Sequence, residues 1–590
     1  MSTIVTRAGK GSPLTHVEVD ANFTNLNTDK VEKTSADITG GTINGTTIGA
    51  TSATSGKFST LEATGTSTLG TGSSQYIQAE GGATAVLLSA QGSGTNIPLA
   101  LQPKGTGAIQ AQATDSAVAG GNVRGANAVD WQTIRNNAAQ VASGSQSTVG
   151  GGGNNRATST YSTASGGNNN TASGFGSVIA GGNTNTSTSS YSFVGAGESN
   201  TASQYSAAVV SGRANTAAGY YNFIGSGFTN SGTANAAVTT QSATMNGTTA
   251  VTLSGSNANI KVGQYISGTS IGNDTYVAAI SGTALTLSKV ASGSSTSTLS
   301  FFTPHGVVVG GGNNQATGAY SAILGGGDAG TAANRNVASG DYSAVVGGRN
   351  NTASGIGSFI GGGGFDGSSS QTNTASGTTS VLCGGQSNTS SGTGSVVGGG
   401  VINIANTTGA TVVGGYQNTA NGQMSTVVGG RYGNTRSITG NLVFSAQSGA
   451  VAAGGGFSQA ALLILGTQTT DATATALRSD ANAAGTTNQV ILPNNSAYFF
   501  RGEVVSGKTA AGDTKGWTIE GVIKRGANAA STALVGVPTV TSTYADAGAS
   551  TWDIAITADT TNGGIRVTFT GQAATTIRTV CQIRTTEMTF

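Results

Sequence analysis

Asparagine returns every fifteen residues through the middle of this chain, at Asn155, Asn170, Asn185, Asn200, Asn215 and Asn230. The spacing resumes at Asn314 and runs through Asn336, Asn351, Asn373, Asn388, Asn403 and Asn418, with Asn434 one residue late. Nine residues after each asparagine there is usually an apolar residue, such as Ile179, Val194, Val345, Leu382 or Val397. Twelve residues after it there is a glycine, such as Gly182, Gly197, Gly348 or Gly400. The unit reads Asn-Thr-Ala-Ser-Gly-x-x-Ser-x-Val-x-Gly-Gly-x-x.

A period this short holds no globular domain and no helical hairpin. It reads as one small unit stacked on its copies. Two very short strands and two tight turns fit fifteen residues, which makes one coil of a parallel β-roll. Glycines supply turn conformations with positive φ, and the apolar column fills a thin core. The amides of Asn170, Asn185, Asn200, Asn215, Asn351, Asn388, Asn403 and Asn418 form a candidate structural ladder, each bonding to its copy above and below. At about 4.8 Å per coil, the asparagine-marked coils make a rod of roughly 65 Å.

One Val or Ile per coil, with alanine opposite, is little core for fifteen ordered residues. Each ordered residue costs about 1–2 kcal/mol of backbone entropy. Phe193, Phe223 and Phe359 precede the core column and should point the other way. They need a second surface to cover them, so a parallel homotrimer is expected.

The repeat unit resembles the left-handed parallel β-roll heads of trimeric autotransporter adhesins, and the same head repeats occur in bacteriophage tail fibres. The resemblance covers about half of the chain. It implies an all-β, elongated homotrimeric fibre in which the roll is scaffold and adhesive surface. Such adhesins carry an export signal and a membrane anchor after a coiled-coil stalk. Here Met1 to Leu14 has no apolar run and no stretch approaches membrane-spanning length. The run from Gly11 to Asn27, Gly-Ser-Pro-Leu-Thr-His-Val-Glu-Val-Asp-Ala-Asn-Phe-Thr-Asn-Leu-Asn, resembles the N-termini of phage tail-fibre proteins. The expectation is therefore a virion tail protein assembled in the host cytoplasm. Its N-terminus would join a tail or baseplate protein, and its distal part would bind a host-surface glycan or protein. A tailspike depolymerase and a bacterial surface adhesin are the alternatives.

Along the chain, residues 1–34 read as an attachment segment with a short helix. Thr15 and Glu18 form a capping box there, and Val19, Phe23 and Leu26 make one apolar stripe. Residues 35–72 read as a thin β shaft or linker, and 73–146 as a small β module and transition, with Trp131 a buried plug at the roll's open end. The roll occupies 147–230 and 307–440, interrupted by a small β domain at 231–306. Residues 441–590 alternate apolar and polar in longer strands, as in Trp552/Ile554/Ile556, and Asn562-Gly563 marks a hairpin. They read as an antiparallel β-sandwich tip, serving as trimer clamp, receptor-binding domain or both.

Composition restricts the chemistry. Glycine is 96 of 590 residues and charged residues are 8%, which fits neither an ordinary globular enzyme nor a charge-rich disordered chain. A net charge of +2 offers no field for nucleic acid. Cys383 and Cys581 read as free, packed thiols. A polysaccharide depolymerase needs two carboxylates flanking a sugar groove. Between 141 and 440 the acids are only Glu198, Asp274, Asp328, Asp341 and Asp366. Gly361 to Asp366 matches a calcium β-roll pattern once, although such sites need consecutive copies. His16 and His305 make no zinc spacing. The reading is therefore a chain that is not an enzyme, with no catalytic residue, metal or cofactor.

Two coils depart from the period: Asn314 to Asn336 and Asn351 to Asn373 are both twenty-two residues. The apolar residue and the glycine keep their offsets, so the seven extra residues fall in the same turn each time. Both loops leave one edge, about 10 Å apart at two strand spacings. They carry Asp328, Arg335, Phe365, Asp366 and Gln371, which are the candidate receptor residues, since rigid scaffolds present binding groups on loops. Arg213 and Arg349 fall in ordinary turns, where replacement is expected to be nearly neutral.

Overall fold

The computed structural model describes residues 6–28 and 101–590, apart from 233–236, 238, 261, 263, 273–274, 303–305, 329, 370, 447–453 and 511. The expected shaft at 35–72 and most of the module at 73–112 lie outside the described residues. The chain divides into two compact units, Met1–Leu99 and Ala100–Phe590. In the first, a four-residue turn of helix at Arg7–Lys10 precedes the helix His16–Thr28. The Glu18 carboxylate accepts from the Thr15 N–H at 2.8 Å and the Glu18 N–H donates to the Thr15 hydroxyl at 3.3 Å. That reciprocal pair satisfies donors the helix start would leave open. The Lys10 ammonium beside Glu18, together with the Thr15 N–H, lowers the carboxyl to about 2.

The second unit is nearly all β. Its column of parallel two-residue strands begins at Ile109–Gln110, ahead of the asparagine repeat. It continues through Thr148–Val149, Val178–Ile179, Val396–Val397 and Thr426–Val427 to Leu442–Ser445. A second parallel sheet of 13 strands runs from Arg156–Ala157 to Thr419–Ala420. The two sheets face each other across the thin core. Val194, Val209 and Ile224 stack in register on one side, and Ala202 and Ala217 on the other, all fully buried. The register passes over the insertion unchanged, because Ile224 pairs directly with Val308.

Asparagine fills what the thin core leaves. The side-chain oxygen of Asn185 accepts from the backbone N–H of Asn200 at 2.9 Å. Its amide donates to Gly181 O at 3.0 Å and, one coil on, to Gly197 O at 2.9 Å. The pattern recurs at Asn170, Asn200, Asn388 and Asn403. The acceptor bond thus goes to the next coil's backbone. Amide-to-amide bonds join it in only some coils, such as Asn215 on Asn200 at 3.1 Å and Asn351 on Asn336 at 3.1 Å. After Asn418 the partner is Gly433 N at 2.7 Å, so Asn434 does not take a ladder place.

Glycine is required at one of the three left-handed positions in a coil. A Cβ on Gly197 (φ +98) would lie 2.0 Å from the Gly212 carbonyl oxygen. The other two positions accept side chains, such as Tyr191 (φ 56) and Ala214 (φ 55). Positive φ therefore extends well beyond the glycines.

Two corrections concern single residues. Trp131 is 47% exposed and plugs nothing. Its neighbour Asp130 is buried instead, held by Arg124 Nε at 2.8 Å and Arg135 Nη2 at 3.2 Å. Cys383 is exposed, because it follows the inward Leu382 and a strand alternates its faces. Cys581 is buried, and burial pushes its thiol to about 12.

The inserted domain is a six-stranded antiparallel sheet between Thr239–Asn246 and Ser294–Phe302, closed on Met245, Leu253, Leu285, Leu299 and Phe301. At the other end, Leu442–Ser445 pairs parallel with Thr426–Val427 and antiparallel with Ser458–Thr469. The roll's sheet thereby runs on into Ile577–Thr589, Ser496–Lys508 and Thr514–Arg525. A second antiparallel sheet, Asp553–Asp559 with Gly564–Thr570, closes the sandwich over Phe500, Trp517, Trp552, Phe569 and Ile583.

Replacing Asn403 by alanine leaves the buried Asn418 N–H, now bonded at 3.0 Å, without its acceptor. The expected loss is about 1–3 kcal/mol, read as faster amide exchange in the coils on either side. Asn168, whose exposed amide bonds Asn183 at 3.1 Å, is the control, and its alanine variant should stay within about 0.5 kcal/mol.

Candidate functional site

The two long turns leave the same edge of the roll, as their spacing requires. Gly327 still pairs with Gly312, and the ladder closes above each loop through Asn336 N to Asn314 Oδ1 at 3.2 Å and Asn373 Nδ2 to Asn351 Oδ1 at 3.0 Å. The coil between them contributes Arg349, which joins the two. Its Nη2 lies 2.7 Å from Asp328 Oδ2 in the first loop. Its guanidinium lies 4.5 Å from the centre of the Phe365 ring in the second. The expectation that Arg349 is an indifferent turn residue is corrected by this bridge. Arg213, largely exposed and 3.2 Å from a half-exposed Glu198, makes a surface pair of little energetic weight.

The two carboxylates of the candidate residues are spent on their own loops and on the neighbouring coils. Asp328 Oδ1 accepts from Gly330 N at 2.8 Å, and Oδ2 from Asn334 Nδ2 at 3.1 Å. Asp366 accepts from Ser369 N at 2.6 Å and Ser368 N at 2.9 Å, and from Gln386 Nε2 at 2.9 Å. Gln371 accepts from the Ser387 hydroxyl at 2.9 Å, and Arg335 Nε donates back to Ala332 O. The Asn334 amide, then the Gly330 N–H and the Arg349 charge, hold the Asp328 carboxyl below the usual range. The Ser369 and Ser368 N–H groups, then Gln386, do the same for Asp366. Phe365 is left as the exposed apolar group of the patch. Asp341 accepts from Ala319 N at 3.0 Å. Asp274 and His305 lie outside the described residues. Among the described residues no three His, Cys, Asp or Glu side chains gather as a metal site, and no helix is long and apolar enough to cross a membrane.

Three further surfaces stand out, the first expected from the outward phenylalanines and the other two not. The outward side of the valine strands carries Phe193, Phe223 and Phe359 in one column and Val309, Leu324 and Val413 in the next, all exposed, with Thr148, Thr163, Thr411 and Thr426 in the first column towards the ends. This face continues onto the C-terminal sheet, where a cavity of about 470 Å3 opens between Phe444, Leu462, Phe499, Arg501 and Arg584. Arg501 and Arg584 stand directly opposite each other, a like-charge pairing that weakens a sheet. Glu520 at 3.9 Å and Glu503 at 3.4 Å offset it. On the edge opposite the loops, Tyr161, Phe175, Tyr191, Tyr205 and Tyr221 form a ladder of rings. Its sequence signal is a spacing that alternates between fourteen and sixteen, which a search for a fixed fifteen passes over.

No protein-family model matches the chain, and no curated protein does. Among solved structures it is similar to a tailspike protein, gp49, of the Acinetobacter baumannii bacteriophage Fri1, described as a capsular polysaccharide depolymerase. That likeness covers 80% of this chain and 70% of the other, at 9% identity and a TM-score of 0.18. The neighbour is an enzyme, so the expectation that this chain is not one is withdrawn. The likeness transfers no residue and no reaction.

Replacing Arg349 by alanine removes the bridge. Hydrogen exchange should accelerate by about tenfold or more in both loops, 328–335 and 365–371, while the Arg213→Ala variant exchanges as the parent does. Because both aspartates are lowered on folding, their anchoring is complete above the free aspartate pKa of about 3.9. It is lost as pH falls through the lower folded values. Loop protection should accordingly be flat from neutral pH to about 5 and fall only in strong acid.

Proposed function

We propose that this chain is a receptor-binding protein of a bacteriophage tail, a fibre whose N-terminal segment joins the tail and whose roll and C-terminal sandwich meet the host surface. The observation that carries the reading is the roll itself. It is a stiff parallel stack that holds register across an 84-residue separation and carries its variation on its edges. Such a stack suits spacing and display. The N-terminal resemblance to tail-fibre proteins supports the same direction.

The chain acts as a parallel homotrimer in this reading. Outward Phe193, Phe223, Val309, Leu324 and Val413 expose apolar surface along one side of the roll, and contiguous exposed apolar surface marks interaction sites. Two further copies, each offering the same face towards a common axis, would cover it. On the C-terminal part of this face Arg501, Arg584, Glu503 and Glu520 can exchange partners between copies and so set their height. The ligand on the host is a surface glycan or protein.

Purified full-length chain should occupy receptors on the cells that its phage infects and slow phage adsorption; unchanged adsorption at saturating protein would overturn the adsorption reading. The arrangement of copies is tested by Cys383, which lies on the outward apolar face while Cys581 is buried. A short bis-maleimide should give a covalent dimer band on denaturing gels, lost in the Cys383→Ser variant. Absence of that band in protein whose Cys383 is shown to be alkylated would place the face elsewhere.

A further inference from the structure

The turn between the Asn-Thr-Ala strand and the valine strand carries an aromatic ring in five consecutive coils. Successive centroids of Tyr161, Phe175, Tyr191, Tyr205 and Tyr221 lie 5.4, 5.6, 5.6 and 5.6 Å apart, with ring planes 82–89° to one another. The seats alternate. Tyr161, Tyr191 and Tyr221 occupy the left-handed residue of the turn at φ 60, 56 and 56. Phe175 and Tyr205 come one residue before it in their coils. That offset sets neighbours edge to face, a favoured arrangement of aromatic pairs. Despite these contacts Tyr161, Phe175, Tyr191 and Tyr221 remain 40–51% exposed.

Two observations say what such a track would take. The first is charge. From 155 to 230 the charged residues are Arg156, in the strand that precedes the first turn, and Glu198 and Arg213, the last two paired with each other on the opposite edge. The turns that carry the rings hold only uncharged residues, Ser, Thr and Gly for the most part with Gln204 beside Tyr205, so the turns themselves offer no charged group to an acid. The second is the insertion. The domain at 239–302 leaves the roll from this same turn in the coil after Tyr221, and its Tyr265 stacks on Tyr220 at 4.1 Å. An edge from which a domain projects faces outward, away from a packed neighbouring copy.

We propose that the ladder from Tyr161 to Tyr221 is a binding track for a neutral polysaccharide strand lying along the roll and ending against the inserted domain. A pyranose has an apolar C–H face and a rim of hydroxyls, which match a ring with a phenolic hydroxyl among Ser and Thr side chains. A coil rises about 4.8 Å, close to the length of one sugar in an extended chain, so successive sugars would meet successive rings. The proposal rests on the reading of the chain as a host-adsorbing protein and names where on it a glycan sits.

The test is affinity electrophoresis of the full chain through gels holding dextran, a yeast mannan or a soluble β-glucan, with alginate as the acidic polymer. The variant Tyr161→Ser/Tyr191→Ser/Tyr221→Ser keeps the turn, since Ser206 already occupies the same left-handed position at φ 50. At least one neutral polymer should retard the parent, with the apparent dissociation constant rising tenfold or more in the variant at unchanged melting temperature. Equal retardation of the variant, retardation by alginate alone, or retardation by no polymer would each overturn the proposal. If the triple variant melts early, Tyr191→Ser is read in its place, against Tyr191→Phe, which should keep the affinity within about threefold. Slowing of phage adsorption by the same protein is measured separately, so the adsorption reading stands or falls on its own result.

Discussion

The roll depends on one side chain used the same way in coil after coil. An asparagine such as Asn185, with its oxygen on the next coil's backbone N–H and its amide on two glycine carbonyls, ties three levels of chain together. Buried in a thin core, such bonds gain from the low local dielectric and would be costly if broken. The geometry needs a short amide: glutamine is one carbon too long, and aspartate offers no donor for the carbonyls. It also needs the glycine beneath it, since a Cβ on Gly197 would meet the Gly212 carbonyl at 2.0 Å and the Asn200 amide at 2.7 Å. One valine-class residue and one alanine per coil then suffice within the stack, because much of the interior is polar and satisfied.

The same economy leaves apolar side chains exposed on one side of the roll. The inward Val and Ala close the roll, while the outward Phe193, Phe223, Phe359, Val309, Leu324 and Val413 stay partly exposed within one chain. The edges behave differently. One takes seven-residue additions and the other a six-stranded domain, and neither disturbs the ladder. Loop insertions are tolerated when their ends are fixed close together, and here the asparagine bonds fix them. Scaffold and variable surface are thereby separated: the ladder holds the coils, and the edges can change without disturbing it.

The stack and the placement of both long loops on one edge were legible in the sequence, since period and offset decide them. The asparagines' partner was only half legible. The repeat marks Asn185 and Asn200 as equivalent, but period alone does not say whether an amide meets its copy or its copy's backbone. Arg349 was missed because its partners, Asp328 and Phe365, are twenty-one residues before it and sixteen after it, and adjacent only once the coils stack. Trp131 misled because size suggested burial, whereas the buried groups there are Asp130 and two arginines. The aromatic ladder was hidden by its alternating spacing.

The central claim is that the outward valine face is covered by two further copies of the chain. Sedimentation equilibrium of the full-length protein across a hundredfold range of concentration tests it most directly. The account predicts a single species at three times 57.4 kDa throughout, and a folded species that stays at 57.4 kDa over the same range would contradict it.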